Sequence, residues 1–163
     1  MRLSRDAYFL KLVELIATRS TCLRRAVGCV LVNARGHVLA TGYNGVATGL
    51  PHCNEVTTVN VAHPACPNIY KHACAGARRP SGKNLESCEA IHAEQNALLQ
   101  CRDVWEIDTA YVTVSPCLIC VKLFLNTACQ RIVFIEAYAA LHYEVAESLW
   151  RQSGRSWIRT QTD

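Results

Sequence analysis

Apolar side chains recur at two different spacings along the chain. Residues 4–19 place them three or four positions apart, as in Leu10 and Val13, which is the period of one helical face. Ser4 stands where a helix N-cap is needed. Further helices are predicted at residues 91–101, 116–129 and 139–151. For the second of these, Ser115 is the expected N-cap, and Pro116 suits the first turn.

Five shorter apolar runs predict strands. They lie at residues 27–33, 37–43, 109–115, 131–137 and 157–160. Ala34-Arg35-Gly36 separates the first two runs and predicts a hairpin. The order of elements predicts the fold class α/β, as a single-domain α-β-α sandwich with a central mixed five-stranded sheet. The chain has 163 residues, of which 50% are hydrophobic, and this fits one domain spanning residues 1–163.

Residues 45–88 break this regularity, because glycine, proline, histidine and cysteine are mixed there without a sustained period. An irregular segment of this length is uncommon inside a compact domain, so something must order it. Cysteines are the available staples: Cys53, Cys66, Cys74 and Cys88. We therefore expect a long, metal-stapled insertion loop at about 45–88.

The formal net charge is +4, and the arginines are not massed in one run. This charge suits an anionic small molecule and does not require nucleic acid, so no stable nucleic-acid partner is expected. Lys11 and Glu14 interrupt the apolar amino-terminal segment, which argues against a signal-peptide core and against a membrane partner. We expect a cytoplasmic protein, in which the ten cysteines favour metal binding over disulfides.

Two short motifs carry candidate chemistry, His92-Ala93-Glu94 and Pro116-Cys117-Leu118-Ile119-Cys120. Cys117 and Cys120 are three positions apart, so they share one helix face near the positive end of the helix dipole. With His92 they would give zinc three protein ligands and one open position, as in catalytic zinc sites. Glu94 is placed to collect and return a proton.

Both motifs together match the His-x-Glu and Pro-Cys-x-x-Cys signature of the zinc nucleobase deaminases. The alternative is that Cys117 and Cys120 are buried core cysteines and that His92 is a helix-cap histidine. A non-enzymatic zinc module, in which every coordination sphere is closed, is a further alternative.

The chain resembles deoxycytidylate (dCMP) deaminases, especially those of bacteriophages. The resemblance rests on four segments: residues 20–28, Thr41-Gly42-Tyr43-Asn44-Gly45, residues 88–97 and Ser115-Pro116-Cys117. It implies hydrolysis of dCMP to dUMP with release of ammonia, which supplies dUMP for thymidylate synthesis. In that chemistry a zinc-bound hydroxide attacks C4 of cytosine while Glu94 moves the protons. Polynucleotide deaminases of the tRNA adenosine type and free nucleobase deaminases share His-Ala-Glu and remain alternatives.

The resemblance also implies partners and substrate contacts. Family members tend to be homohexamers, and some respond to the effectors dCTP and dTTP, with which Mg²⁺ would bind. Asn44 matches an asparagine expected near the sugar or phosphate, although an Asn-Gly turn residue is the plainer interpretation. Arg24 and Arg25 are candidates to meet a phosphate, or are ordinary surface arginines. Ser115 is a further candidate substrate contact.

A second, structural zinc is implied by the resemblance, because some phage enzymes carry a zinc that bridges this loop. The best assignment is a four-thiolate site of Cys22, Cys53, Cys74 and Cys88. His52, His63, Cys66 and His72 compete with Cys74 for one place. The alternative is that these are ordinary thiols without a second metal. Cys29, Cys101 and Cys129 fit core faces and are expected to pack there.

Overall fold

The central sheet has five strands and combines antiparallel with parallel pairing. The structure is a computed structural model that describes residues 2–57, 71–72, 74, 76, 80, 88–138 and 143–160. The strands are β1 (Gly28–Val32), β2 (Val38–Tyr43), β7 (Thr109–Val114), β8 (Arg131–Glu136) and β9 (Ser156–Arg159), numbered with the short strands given below. They lie in the order β2-β1-β7-β8-β9. β1 is antiparallel to β2 and to β7, whereas β7, β8 and β9 run parallel.

Successive side chains along each strand point to opposite faces of the sheet and contribute to two apolar layers. Val30, Tyr111 and Val133 face helix α1 (Arg5–Ala17), which packs on one side of the sheet through Phe9, Leu10 and Val13. Their neighbours in the strands face the opposite layer, which contains α2 (Ala93–Gln100), α3 (Leu118–Leu125) and α4 (Tyr143–Gln152). Because both faces of the sheet are covered, its strands are apolar on both sides. The predicted α-β-α sandwich with a mixed five-stranded sheet is confirmed.

The amino-terminal part follows the prediction closely. The Ser4 side chain accepts a hydrogen bond from the backbone N–H of Ala7 at 3.2 Å and caps α1, as expected. The hairpin turn between β1 and β2 is present, and Gly36 adopts a φ of 85°, a conformation that glycine tolerates best.

Two predicted helix starts are wrong. The helix predicted at 116–129 is shorter and begins at Leu118, with Cys117 as its N-cap instead of Ser115. Ser115 instead accepts a hydrogen bond from the backbone N–H of Tyr138 at 2.8 Å, which joins the ends of β7 and β8. The helix predicted at 91–101 begins at Ala93, because His92 takes an extended conformation as its N-cap.

The segment at 45–88 was expected to lack regular structure, and this is corrected by three short strands within it. The strand β3 (Gly45–Val46) begins the segment and pairs with β6 (Ala90–Ile91) just beyond its end, and β4 (Val56–Thr57) pairs with β5 (Lys71–His72). Pairs of two residues are too short to show a period in the sequence. Most of residues 58–87 lie outside the described residues, as does the predicted start of the last helix at 139–142.

In the described part of the chain, every helix falls short of the length and apolarity that a membrane span requires.

Candidate metal centre and cavity

The first turns of α2 and α3 bring the two predicted motifs together. The Nδ1 atom of His92 lies 3.5 Å from the Sγ of Cys117 and 3.5 Å from the Sγ of Cys120. Among the described residues, these three side chains form the group whose ligand atoms all lie within 4.8 Å of one another. One imidazole nitrogen and two sulfurs suit zinc. The predicted catalytic ligand set therefore has the geometry that a zinc ion needs.

The local backbone explains why these side chains converge. His92 has φ −70° and ψ 153°, and its N–H donates to Oε1 of Gln95 at 2.9 Å, which fixes the start of α2. Cys117 has a similar extended conformation at the start of α3. Each cap residue therefore turns away from its helix axis, while Cys120 lies in the first turn.

Of the two thiols, Cys117 is prepared to bind a cation, whereas the hydrogen bond with Cys117 and burial raise the pKa of Cys120. Hydrogen bonding from Cys120, supported by His92, lowers the pKa of Cys117 to about 4, although burial opposes this. The contact with Cys117 in turn raises the pKa of His92. A metal requires thiolate sulfur and an unprotonated imidazole nitrogen, so binding would replace the protons shared within this group.

Glu94 lies directly beside the ligands and is 4% exposed. Burial raises the pKa of Glu94 to about 7, although His92 opposes the shift. A divalent cation on the three ligands would favour the charged carboxylate and move this pKa back down. The side chain is thus a buried group that can both accept and return a proton near neutrality.

A cavity opens over this group at the carboxyl ends of β7 and β8. Its walls include all the predicted substrate contacts, Asn44, Arg24 and Ser115, and also Arg25. The remaining lining residues are Cys22, Val27, Cys88, Ala90, His92, Ala93, Glu94, Val114, Cys117 and Tyr138. The structure therefore places the candidate substrate contacts around the candidate metal centre.

The Asn44 side chain uses most of its hydrogen-bonding groups within the protein. Its Oδ1 accepts hydrogen bonds from Ser20 Oγ at 2.6 Å and from the Val27 N–H at 2.8 Å. Its Nδ2 donates to the Arg25 carbonyl at 2.8 Å. An amide nitrogen has two hydrogens, so one donor remains for a ligand. Asn44 clamps the segment that carries both arginines as well as lining the cavity.

Sequence reasoning missed Tyr138 and Glu136. Tyr138 lines the cavity, and Glu136 ends β8 with an ion pair to Arg25. The usable signal was their position, because ligand sites in sheets with parallel strands gather at the carboxyl ends of those strands.

The four cysteines expected to hold a second metal also lie near one another. Cys53 and Cys74 are buried against Cys88. Burial, together with the nearby thiols of Cys74, Cys22 and Cys88, raises the pKa of Cys53 to about 12. Within the described residues these thiols do not meet the 4.8 Å spacing of the His92 group, so the cluster is looser.

Among the competing ligands, His52 contacts Thr21. Its Nδ1 lies 3.4 Å from Thr21 Oγ1, and the residue is exposed. His63 and Cys66 lie outside the described residues, and so does the side chain of His72.

Comparison with known proteins decides the family. A family model described as "Cytidine and deoxycytidylate deaminase zinc-binding region" matches residues 3–136. The chain belongs to this deaminase family.

Individual deaminases resemble the chain over most of its length. The "Deoxycytidylate deaminase" of Saccharomyces cerevisiae is 36% identical over 140 residues, which are 85% of this chain and 39% of that protein. The protein of the same name from Mycobacterium phage D29 is 37% identical over 130 residues, which are 79% of this chain and 92% of that protein. The chain thus spans about two fifths of the yeast relatives, 39% in S. cerevisiae and 38% in Schizosaccharomyces pombe.

A solved structure shows the same fold. The dCMP deaminase of the cyanophage S-TIM5, in complex with dCMP and dUMP, matches with a TM-score of 0.67 and 23% identity. The match covers 98% of this chain and 99% of that one. At this level of identity the likeness establishes the α/β deaminase fold.

Proposed function

We propose that this chain catalyses the hydrolytic deamination of dCMP to dUMP with release of ammonia. The observation that carries the proposal is the convergence of His92, Cys117 and Cys120 beside the buried Glu94, at the base of a cavity lined by two arginines. The named relatives support the choice of dCMP, because they are deoxycytidylate deaminases.

In the proposed mechanism, His92, Cys117 and Cys120 would hold the zinc. When bound, the zinc would supply the chemistry of lowering the pKa of a water molecule, so that this water can attack the cytosine ring near neutral pH. Glu94 takes a proton from the attacking water and delivers it to N3 of the cytosine ring. It then moves a proton from the new C4 hydroxyl group to the amino group, which leaves as ammonia and yields dUMP.

Asn44, Arg24 and Ser115 remain proposed substrate contacts. Their support is that all three line the cavity. Asn44 keeps one amide hydrogen for the sugar or phosphate, and Arg24 adds positive charge near the rim. Ser115 is 3% exposed and bonded to the Tyr138 N–H, so its main contribution is to shape the wall.

We also propose that residues 1–163 form a single deaminase domain. A structural zinc would bind Cys22, Cys53, Cys74 and Cys88. The protein would form a homohexamer that responds to dCTP and dTTP, with Mg²⁺ bound to the triphosphate. The nearness of the four thiols supports the second zinc. Exposed apolar side chains on or beside α2 and α3 would be covered in an oligomer: Leu99, Trp105 and Ile119.

Ammonia release tests the proposed function directly. The zinc-loaded protein is assayed with dCMP, dCTP, CMP, deoxycytidine and cytosine, each with and without dCTP or dTTP as effector. Single-stranded DNA and tRNA are included, and light scattering gives the mass under each condition. We expect dCMP to give the highest kcat/KM. Preference for cytosine or for a polynucleotide would reject the proposal.

A further inference from the structure

Arg25 and Glu136 form an ion pair at the rim of the cavity. Arg25 Nη1 lies 3.6 Å from Glu136 Oε2, and the two side chains are 32% and 64% exposed. This distance is too long for a good hydrogen bond. Among the described residues, the buried Nη1 of Arg25 has no hydrogen-bond partner. The guanidinium therefore has a counter-ion but retains unused hydrogen-bonding capacity.

The two charged groups extend from fixed backbone. The Arg25 carbonyl accepts from Asn44 Nδ2 at 2.8 Å, and the Glu136 carbonyl accepts from the Ser115 N–H at 2.8 Å. Both anchoring residues line the cavity. The backbone of both members of the pair is thereby tied to the cavity wall.

Arg24 is engaged differently from its neighbour. Its Nη2 donates to the Pro80 carbonyl at 2.6 Å. Burial raises the pKa of Cys88, and the nearby charge of Arg24 opposes this shift. Arg24 thus contacts the long loop, whereas Arg25 contacts an exposed carboxylate.

We propose that Arg25 is the phosphate-recognising side chain and that the substrate's phosphate replaces Glu136 as its counter-ion. This inference rests on the proposed function. A guanidinium binds phosphate oxygens through two parallel hydrogen bonds, which a carboxylate at 3.6 Å does not match. Releasing Glu136 costs little, because an exposed ion pair contributes little free energy. Glu136 is therefore a built-in competitor of the substrate's phosphate for Arg25.

The test is a mutant cycle with Arg25→Gln, Glu136→Gln and the double variant. Steady-state kinetics with dCMP and deoxycytidine are combined with equilibrium binding of dUMP and deoxyuridine. We expect Arg25→Gln to raise KM for dCMP by about 10- to 100-fold, the loss of a hydrogen bond to a charged group, with deoxycytidine unaffected. Glu136→Gln should lower KM for dCMP by about two- to fivefold, the size of an exposed ion pair. The double variant should match Arg25→Gln, because Glu136 acts through Arg25.

Matched controls separate this effect from general loss of charge or folding. Glu147→Gln breaks an ion pair of 2.8 Å with Arg151 on α4 and should leave both substrates unaffected. Arg25→Lys keeps the charge without the planar fork and should give an intermediate KM. Thermal unfolding verifies that each variant is folded.

Two results would overturn the inference. One is an unchanged preference for dCMP over deoxycytidine in Arg25→Gln and in Arg25→Lys. The other is a lower KM from Glu136→Gln that persists when Arg25 is already replaced. Failure of the proposed function is distinct, because the wild-type protein would then not deaminate dCMP.

Discussion

At the scale of single residues, the position of Glu94 depends on a break in helical geometry. Residues two apart in an α-helix point in very different directions, so His92 and Glu94 would diverge if both lay inside α2. His92 is instead the extended N-cap, and Glu94 follows in the first turn. The imidazole and the carboxylate can therefore approach one metal site.

Replacing Glu94 by glutamine should remove catalysis and preserve metal binding. The amide cannot accept and return a proton, so we expect kcat to fall by at least about 10²-fold, at the lower end for general acid–base catalysis. The measurement is dUMP formation, with zinc content as the second readout. Glu147→Gln on α4 is the control. Full activity in a zinc-loaded Glu94→Gln protein would contradict the assigned role.

At the scale of elements, the docking of α2 on the edge strand β2 places the metal centre. Asn96 Nδ2 donates to the Tyr43 carbonyl at 2.8 Å, and Gln100 Nε2 donates to the Thr41 carbonyl at 3.1 Å. Within the described residues no further strand pairs with this edge of β2, and the two bonds satisfy its carbonyls. Between them, Gly42 lets the helix backbone approach, because a Cβ atom there would collide with backbone atoms of Ala93 and Ala97.

Gly42→Ala should therefore push α2 away from the sheet. We expect a loss of about 1–3 kcal/mol in the free energy of unfolding, typical of overpacking, together with reduced deaminase activity as His92 and Glu94 move. Urea unfolding and kcat measure the two effects. Gly45→Ala is the matched control, because a Cβ there would meet only Thr21 Oγ1 at 3.5 Å. Equal stability of the two variants would show that the close approach of α2 to Gly42 does not determine the stability of the protein.

The major elements could be predicted because their residues carry a period. Helix α1 with its Ser4 cap, the hairpin and all five strands of the sheet are present, with ends shifted by one or two residues. The cap at Cys117 could not be predicted, since Ser115 is the better N-cap by residue type. Ser115 instead joins β7 to β8 by a hydrogen bond with Tyr138, which is distant from it in sequence.

The candidate site also contains residues that could be predicted from the sequence and residues that could not. His92, Glu94, Cys117 and Cys120 were predictable because their spacing and residue types are local and chemically specific. The pairing of Arg25 with Glu136 was not, because it joins the segment before β1 to the end of β8. Contacts of this kind arise only when the sheet order brings distant segments together.

At the scale of the whole molecule, the cysteine cluster and the substrate cavity share a wall. Cys22 and Cys88 line the cavity, while Cys53 and Cys74 are buried behind Cys88. Arg24 connects the same wall to the long loop through the Pro80 carbonyl. A metal on the four thiols would thus order the loop and steady one side of the substrate site.

Cys74→Ser should reduce the zinc content from about two ions per chain to about one, because the proposed structural site loses a thiolate. The remaining zinc should stay on His92, Cys117 and Cys120, so kcat should change little. KM for dCMP should rise, since the wall that carries Cys22 and Arg24 loses its anchor. Elemental analysis and steady-state kinetics give the readouts, with Cys101→Ser as the control for loss of a thiol outside both clusters. One zinc per chain in both the wild-type protein and Cys74→Ser would rule out the second site. A zinc count in Cys74→Ser equal to a wild-type count of about two, together with an altered KM, would assign Cys74 a packing role alone.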